Sequence, residues 1–188
     1  IHTLLPGISF KDTRVMAVAA RDQKLWLGFR ENGVQILDLQ DGSSSKVVFP
    51  GHTSTAVTTV LHSDNNTTWI GTYENGLYKV KTGYVSSQYD PAAQDSSYLS
   101  EQTITALIQL SSGSILIGTA GGLYRYIPLK DEFHSIDLEK IGAKSTVLVL
   151  SMGQSPNGDL WIGTKNNGLI VLNSHLEGRT FSRVKIDP

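Results

Sequence analysis

The 188-residue chain contains no cysteine. A disulfide framework, a thiolate metal site and a cysteine nucleophile are therefore excluded, and the redox character of the compartment leaves no mark on the sequence. Charge is also scarce, with Asp, Glu, Lys and Arg together at 18% of residues, below the roughly 25% of an average soluble chain. What charge there is balances, 16 Lys and Arg against 17 Asp and Glu for a formal net charge of -1. A nucleic-acid backbone or an anionic bilayer would find no basic footprint here, and neither is expected as a partner. No apolar run reaches the roughly 18 to 20 residues of a membrane span, so direct membrane insertion is not expected; the longest, around Val147 to Met152, has the length of a strand. The chain opens on Ile1 with no basic-then-apolar leader, which reads as a segment cut from a longer protein.

What the chain does contain is glycine, at 18 positions, and repetition. The segments Leu25-Trp26-Leu27-Gly28, Thr68-Trp69-Ile70-Gly71, Ile115-Leu116-Ile117-Gly118 and Leu160-Trp161-Ile162-Gly163 align at intervals in the forties. A second glycine follows in each unit, at Gly33, Gly76, Gly122 and Gly168, succeeded by Val34, Leu77, Leu123 and Leu169. A fixed period of this size identifies a repeat architecture before any local structure is considered.

Each unit parses into strands. An apolar stretch (Val15 to Ala20, Ala56 to Leu61, Ile104 to Leu110, Val147 to Met152) runs into a polar turn, then the Trp-Ile-Gly-Thr type of strand, then a turn of the Glu74-Asn75-Gly76 type and a third strand. A more polar fourth strand is expected at Lys46 to Phe49, Tyr84 to Tyr89, Phe133 to Leu138 and Phe181 to Ile186. No segment carries a helical period, so helices are expected to be minor. Four antiparallel strands in about 45 residues make a β-propeller blade. The expected fold is all-β, a single propeller arc over 1–188 with blades at about 8–50, 51–90, 100–139 and 143–187, and with 1–7 as the outer strand of a preceding blade.

In such a stack both faces of a blade are buried. Trp69 and Trp161 are accordingly expected to fill the space between blades, the first glycine of each unit to sit where the next backbone comes too close for a β-carbon, and the second to occupy a turn with positive φ. Blade faces without neighbours are expected to be covered by further repeats of a parent chain or by self-association.

The unit Gly158-Asp159-Leu160-Trp161-Ile162-Gly163-Thr164, followed by Asn167-Gly168-Leu169, resembles the two-component regulator propeller repeat, as do Trp69-Ile70-Gly71-Thr72 and Asn75-Gly76-Leu77-Tyr78. The likeness covers essentially the whole chain in four copies. It departs from the pattern at Phe29, where the other units carry Thr, and at Leu116, where they carry Trp. Rival repeat families fit less well: Gly51-His52 imitates the opening of a WD40 repeat once without any Trp-Asp, and the Gly121-Gly122 doublet of kelch repeats is Asn-Gly in the other units. The resemblance implies the extracytoplasmic, periplasmic signal-input region of a bacterial hybrid sensor histidine kinase, itself not catalytic. The alternatives are a structural pairing module without a small ligand and, less favoured, a glycan-processing propeller enzyme.

Chemistry is otherwise absent from the pattern. The five histidines stand singly, and neither a nucleophile elbow nor a phosphate-binding loop is present. No metal or cofactor is expected. Propellers bind at a rim where loops of successive blades converge. The turns between second and third strands there offer Arg30, Glu31, Tyr73, Glu74, Lys165 and Asn166, a mixture of charge, amide and one aromatic ring suited to a polar ligand such as a glycan or peptide.

Overall fold

The computed structural model describes residues 14–52, 55–89, 99, 101–143, 146–173 and 182–184. The expected strand at 1–7 and most of the long blade-joining segment from Asp90 lie outside them. Apolar, β-branched runs separated by short Asn- and Gly-bearing turns leave each repeat one arrangement, a meander in which every strand pairs with the next. The first sheet comprises β1 (Val15–Arg21), β2 (Lys24–Phe29), β3 (Val34–Asp38) and β4 (Ser44–Lys46); the second β5 (Val57–Ser63), β6 (Thr67–Thr72), β7 (Leu77–Lys81) and β8 (Tyr84–Tyr89). The third comprises β9 (Ile104–Gln109), β10 (Ile115–Thr119), β11 (Leu123–Ile127) and β12 (Glu132–Ile136); the fourth β13 (Val149–Gln154), β14 (Leu160–Thr164), β15 (Leu169–Leu172) and β16 (Ser182–Val184). All pairs are antiparallel and in sequence order, giving four blades in a β-propeller arrangement. Helix among the described residues amounts to one 3-10 turn at Glu139–Ile141.

Three apolar cores lie between successive blades. The first joins Trp26, Ile36 and Phe49 to Val57, Ile70 and Tyr78. The second joins Trp69, Leu77 and Tyr89 to Ile104, Ile117, Tyr126 and Phe133, and the third joins Leu116 and Leu123 to Val149, Ile162 and Ile170. The two inner blades therefore supply one face to the core before them and one to the core behind, which is why their central strands, β6 and β10, are buried at every residue and lack in-out alternation.

The inner strands of successive blades meet, β1 on β5, β5 on β9 and β9 on β13. At each junction the first residue of the incoming inner strand covers the first glycine of the blade before it. A β-carbon on Gly28 would lie 2.5 Å from Val57 Cγ1, on Gly71 2.6 Å from Ile104 Cγ2, and on Gly118 2.5 Å from Val149 Cγ1. The close approach expected at these glycines is real, but it is made by a branched side chain rather than by backbone. A bulge recurs just beyond this contact, between Val15 and Ala17, Val57 and Thr59, and Val149 and Ser151. It re-aims the strand where it meets its neighbour.

Other expectations need correction. Trp161 is 41% exposed, not an inter-blade filler. The side chain at this position faces the following blade: Trp26 meets His62, with ring centroids 5.3 Å apart, and Trp69 meets Tyr126 at 4.9 Å. Trp161 belongs to the last blade and faces outward. The outer strand of the first blade is Ser44–Lys46, earlier than expected, and Val47 and Phe49 are buried beyond its end. Positive φ occurs at Gly33, Gly76 and Gly168, whereas Gly122 at 159° is nearly extended. The third unit has one residue fewer between its two glycines, so its turn closes without the left-handed step.

Candidate functional site

The meander sends alternate turns to opposite edges of the disc. The second-to-third-strand turns and the segments that lead into each inner strand share one edge; the first-to-second and third-to-fourth turns share the other. The six residues expected to bind a ligand all fall on the first edge, and all six are exposed, Tyr73 at 56%.

Backbone bonds tie this rim together. The N–H groups of Arg30, Tyr73, Ala120 and Lys165 donate to the carbonyls of Arg14, Ala56, Thr103 and Leu148, the lead-in of the same blade. Gly33 N–H donates to Thr55 O, and Gly76 N–H to Gln102 O, which links each turn to the blade that follows. Thr103 Oγ1 also donates to Tyr73 O at 2.6 Å, holding the Tyr73 turn against the third blade. Arg14 and Glu31 approach to 3.5 Å in an exposed pair of small energetic weight. The rim thus presents Arg30 and Glu31 on the first blade, Tyr73 and Glu74 on the second, and Lys165 and Asn166 on the fourth, with the short Ala120-Gly121 turn of the third between them.

The threonine that ends the second strand builds these turns, a role that sequence reasoning missed. Thr72 Oγ1 donates to Gly76 O at 2.7 Å and accepts from Asn75 N–H at 3.0 Å. Thr164 repeats both bonds with Gly168 and Asn167, and Thr119 donates to Gly122 O while accepting from the N–H groups of Gly121 and Gly122. In the first unit Phe29, which has no hydroxyl, makes the backbone bond to Gly33 O. Thr72 is fully buried, so Thr72→Val is expected to leave polar groups unpaired and cost about 1–3 kcal/mol in urea unfolding.

On the opposite edge a crevice of about 210 Å³ opens between the second and third blades. Its wall includes Trp69, Lys79, Lys81, Asn65, Ile115 and Tyr126. Lys79 stands beside Trp69 in the β6–β7 register. Its ammonium lies 5.4 Å from the Trp69 ring centre and 5.5 Å from that of Tyr126, and it donates to the Tyr126 hydroxyl at 3.1 Å. The Tyr126 hydroxyl in turn donates to Asp131 Oδ1 at 2.5 Å, and Tyr89 donates to the same oxygen at 2.9 Å. The Tyr126 bond, reinforced by Tyr89 and Lys79, holds the Asp131 carboxyl below the usual range against a smaller opposing effect of burial. Burial, above all, raises both phenols, that of Tyr89 to about 12.

Among the described residues no three His, Cys, Asp or Glu side chains are grouped to hold a metal. His62, the most enclosed described histidine, has Nδ1 2.9 Å from Thr68 Oγ1 and its ring edge-on to Trp26, and burial lowers its pKa.

No family model matches the chain, and no curated protein does. Solved structures do. The extracellular domain of BT4673 from B. thetaiotaomicron, described both as a one-component and as a hybrid two-component system, superposes with a TM-score of 0.77 and 24% identity over 97% of this chain and 23% of that one. The extracellular domain of the hybrid two-component system BT3049 from the same organism superposes with a TM-score of 0.70 and 20% identity, over 93% and 22%. Virginiamycin B lyase from Staphylococcus aureus gives 0.73 and 13%, over 95% and 58%. This chain therefore spans about a quarter of the length of these extracellular domains, and at these identities the likeness speaks for the fold: a set of blades of the kind found in the extracellular domains of hybrid two-component systems.

Proposed function

We propose that the chain is part of the signal-input region of a bacterial two-component sensor, placed outside the cytoplasm, which binds a polar ligand such as a glycan or peptide at its rim and performs no chemistry. The observation that carries this reading is the agreement of its four blades with the extracellular domains of hybrid two-component systems. One further feature supports it: the six rim side chains are exposed and stand on turns fixed by backbone bonds. Binding would act by favouring one arrangement of blades over another, with an effect no larger than the difference in affinity for the two. Isothermal titration of a glycan and peptide panel is expected to give saturable heat that disappears when Arg30, Glu31, Tyr73, Glu74, Lys165 and Asn166 are all replaced by alanine. Heat that survives the replacement, or none from any member of the panel, overturns the rim assignment. A lyase-like activity is the second reading, since a lyase shares the fold; at 13% identity it rests on the fold alone.

The end faces of the arc carry a second part of the proposal. Val15, Met16 and Val18 on β1 are 42%, 52% and 60% exposed, and Leu150 and Trp161 on the last blade 55% and 41%. Val57, Ile104 and Val149, which occupy the place of Val15 in the other blades, are buried. Val15 is a knob without its glycine, and Gly163 a glycine without its knob. Neighbouring repeats would cover both faces in a longer protein, and in isolation a second copy would do so head to tail. Light scattering of the 188-residue chain is expected to report a dimer or larger species that Val18→Lys dissociates. A strictly monomeric species removes this part of the proposal.

A further inference from the structure

We propose that the crevice between the second and third blades, on the edge opposite the rim, is a second binding site, selective for a small organic carboxylate. The charged side chains in its wall are two lysines, and Trp69 beside them carries an unpartnered donor. Trp69 is 2% exposed and its indole Nε1–H is buried without a hydrogen-bond partner, a costly state for a buried donor unless something else fills it. Lys79 uses one of its three N–H bonds, on Tyr126. Lys81 adds a second ammonium, exposed at the mouth. No Asp or Glu lines the cavity. Among the described residues the carboxylate acting on Lys79 is Asp131, which is not part of the cavity wall and accepts hydrogen bonds from the Tyr126 and Tyr89 hydroxyls. Asp131 offsets part of the Lys79 charge and leaves Lys81 uncompensated.

The remaining hydrogen-bonding side chains do not redress this excess of donors. Gln109 Oε1 already accepts from Asp64 N–H, which leaves its amide NH2 as a donor, while Ser63 and Thr67 have spent their hydroxyl protons on Thr67 O and Asn65 O and offer neutral lone pairs that leave the two lysine charges unbalanced. The ligand must therefore bring acceptors and negative charge. Its body is set by the other wall groups: Pro128 is exposed at the mouth, and Trp69, Ile115 and Tyr126 make the wall behind it apolar, which a bare inorganic anion leaves unused. At about 210 Å³ the space lies below the roughly 300–1,000 Å³ of drug-sized sites, which restricts the ligand to a single ring or a short chain. The crevice is built by departures from the repeat. Lys79 stands where the other units have Ile36, Arg125 and Val171 beside the Trp position, and Tyr126 where they have Leu37, Val80 and Leu172.

The test uses the ¹⁵N-labelled chain, whose three tryptophans give three indole N–H resonances, with that of Trp69 identified by its loss in Trp69→Phe. Benzoate and glucuronate are titrated to about 10 mM, enough to detect dissociation constants near 1 mM, beside their neutral counterparts benzyl alcohol and glucose and beside inorganic phosphate. At least one carboxylate is expected to move the Trp69 indole resonance saturably while its neutral counterpart does not. Lys79→Met is expected to weaken that binding at least tenfold with the spectrum still dispersed; if this variant unfolds, Lys81→Met carries the same expectation. The six-fold alanine replacement at the rim should leave the shift intact, which separates this site from the rim. A Trp69 resonance unmoved by both carboxylates, moved equally by the neutral compounds or by phosphate, or moved as in the wild type after the lysine replacement, overturns the proposal.

Discussion

Trp69→Ala is expected to destabilise the chain by about 3–5 kcal/mol, and the same change at Trp161 by about 1 kcal/mol or less, although the two residues stand at equivalent places in nearly identical repeats. Trp69 is 2% exposed and forms the centre of an aromatic cluster that bridges two blades, with Tyr126 at 4.9 Å and Tyr89 at 6.0 Å between ring centres. Removing the indole would open a cavity lined by residues held on two sheets, and neither can collapse into it without moving against the other. The ammonium of Lys79 would also lose one of the two ring faces beside it. Trp161 has strand neighbours but no blade in front of it. Urea unfolding of both variants at protein concentrations low enough to suppress association measures the difference. Equal losses would mean that the last blade face is covered in solution, and a small loss at Trp69 would mean that the second and third blades are not packed as described.

The contrast between the two tryptophans marks the limit of what could be read beforehand. The period, the strand order and the burial of central strands were legible because each blade repeats the same local pattern, and a pattern seen four times fixes its own alignment. Tyr84–Tyr89, the best-defined outer strand, was found at its observed limits because turn residues bound it on the near side. The outer strand of the first blade was misplaced because Val47 and Phe49 are buried by packing after the ladder ends, so apolar character outlasted strand pairing. The fate of Trp161 depends on what lies beyond the last blade, which no residue within it encodes. The crevice was invisible for a different reason. Lys79, Tyr126 and Asp131 meet across a blade junction from three separate strands and turns, and attention to what the repeats share passes over the positions where they differ. The signal was present in the register: a lysine beside Trp69, and a tyrosine where the other blades place an aliphatic residue.

Glycine substitution tests the blade junctions directly. Gly71→Ala is expected to cost about 1–3 kcal/mol, a large effect for one methyl group, because the new carbon would lie 2.6 Å from both Ile104 Cγ2 and Thr59 Cγ2. Ile104 is fully buried and branched at the β-carbon, so it has little rotamer freedom with which to retreat. The strands must then separate, and the apolar core between the second and third blades loosens with them. Gly163→Ala presents the same chemistry in the same motif with a different neighbour. Its β-carbon would meet Ser151 Oγ of its own sheet at 2.6 Å and nothing from another blade, and a serine hydroxyl can rotate away. The expected cost at Gly163 is therefore a few tenths of a kcal/mol, within the range of surface substitutions. Differential scanning calorimetry of the pair reads the difference as a lowered Tm for Gly71→Ala alone. A Gly163→Ala variant destabilised as strongly would place a branched side chain over Gly163 in solution, as Val149 covers Gly118, and so would show that the last blade has found its neighbour.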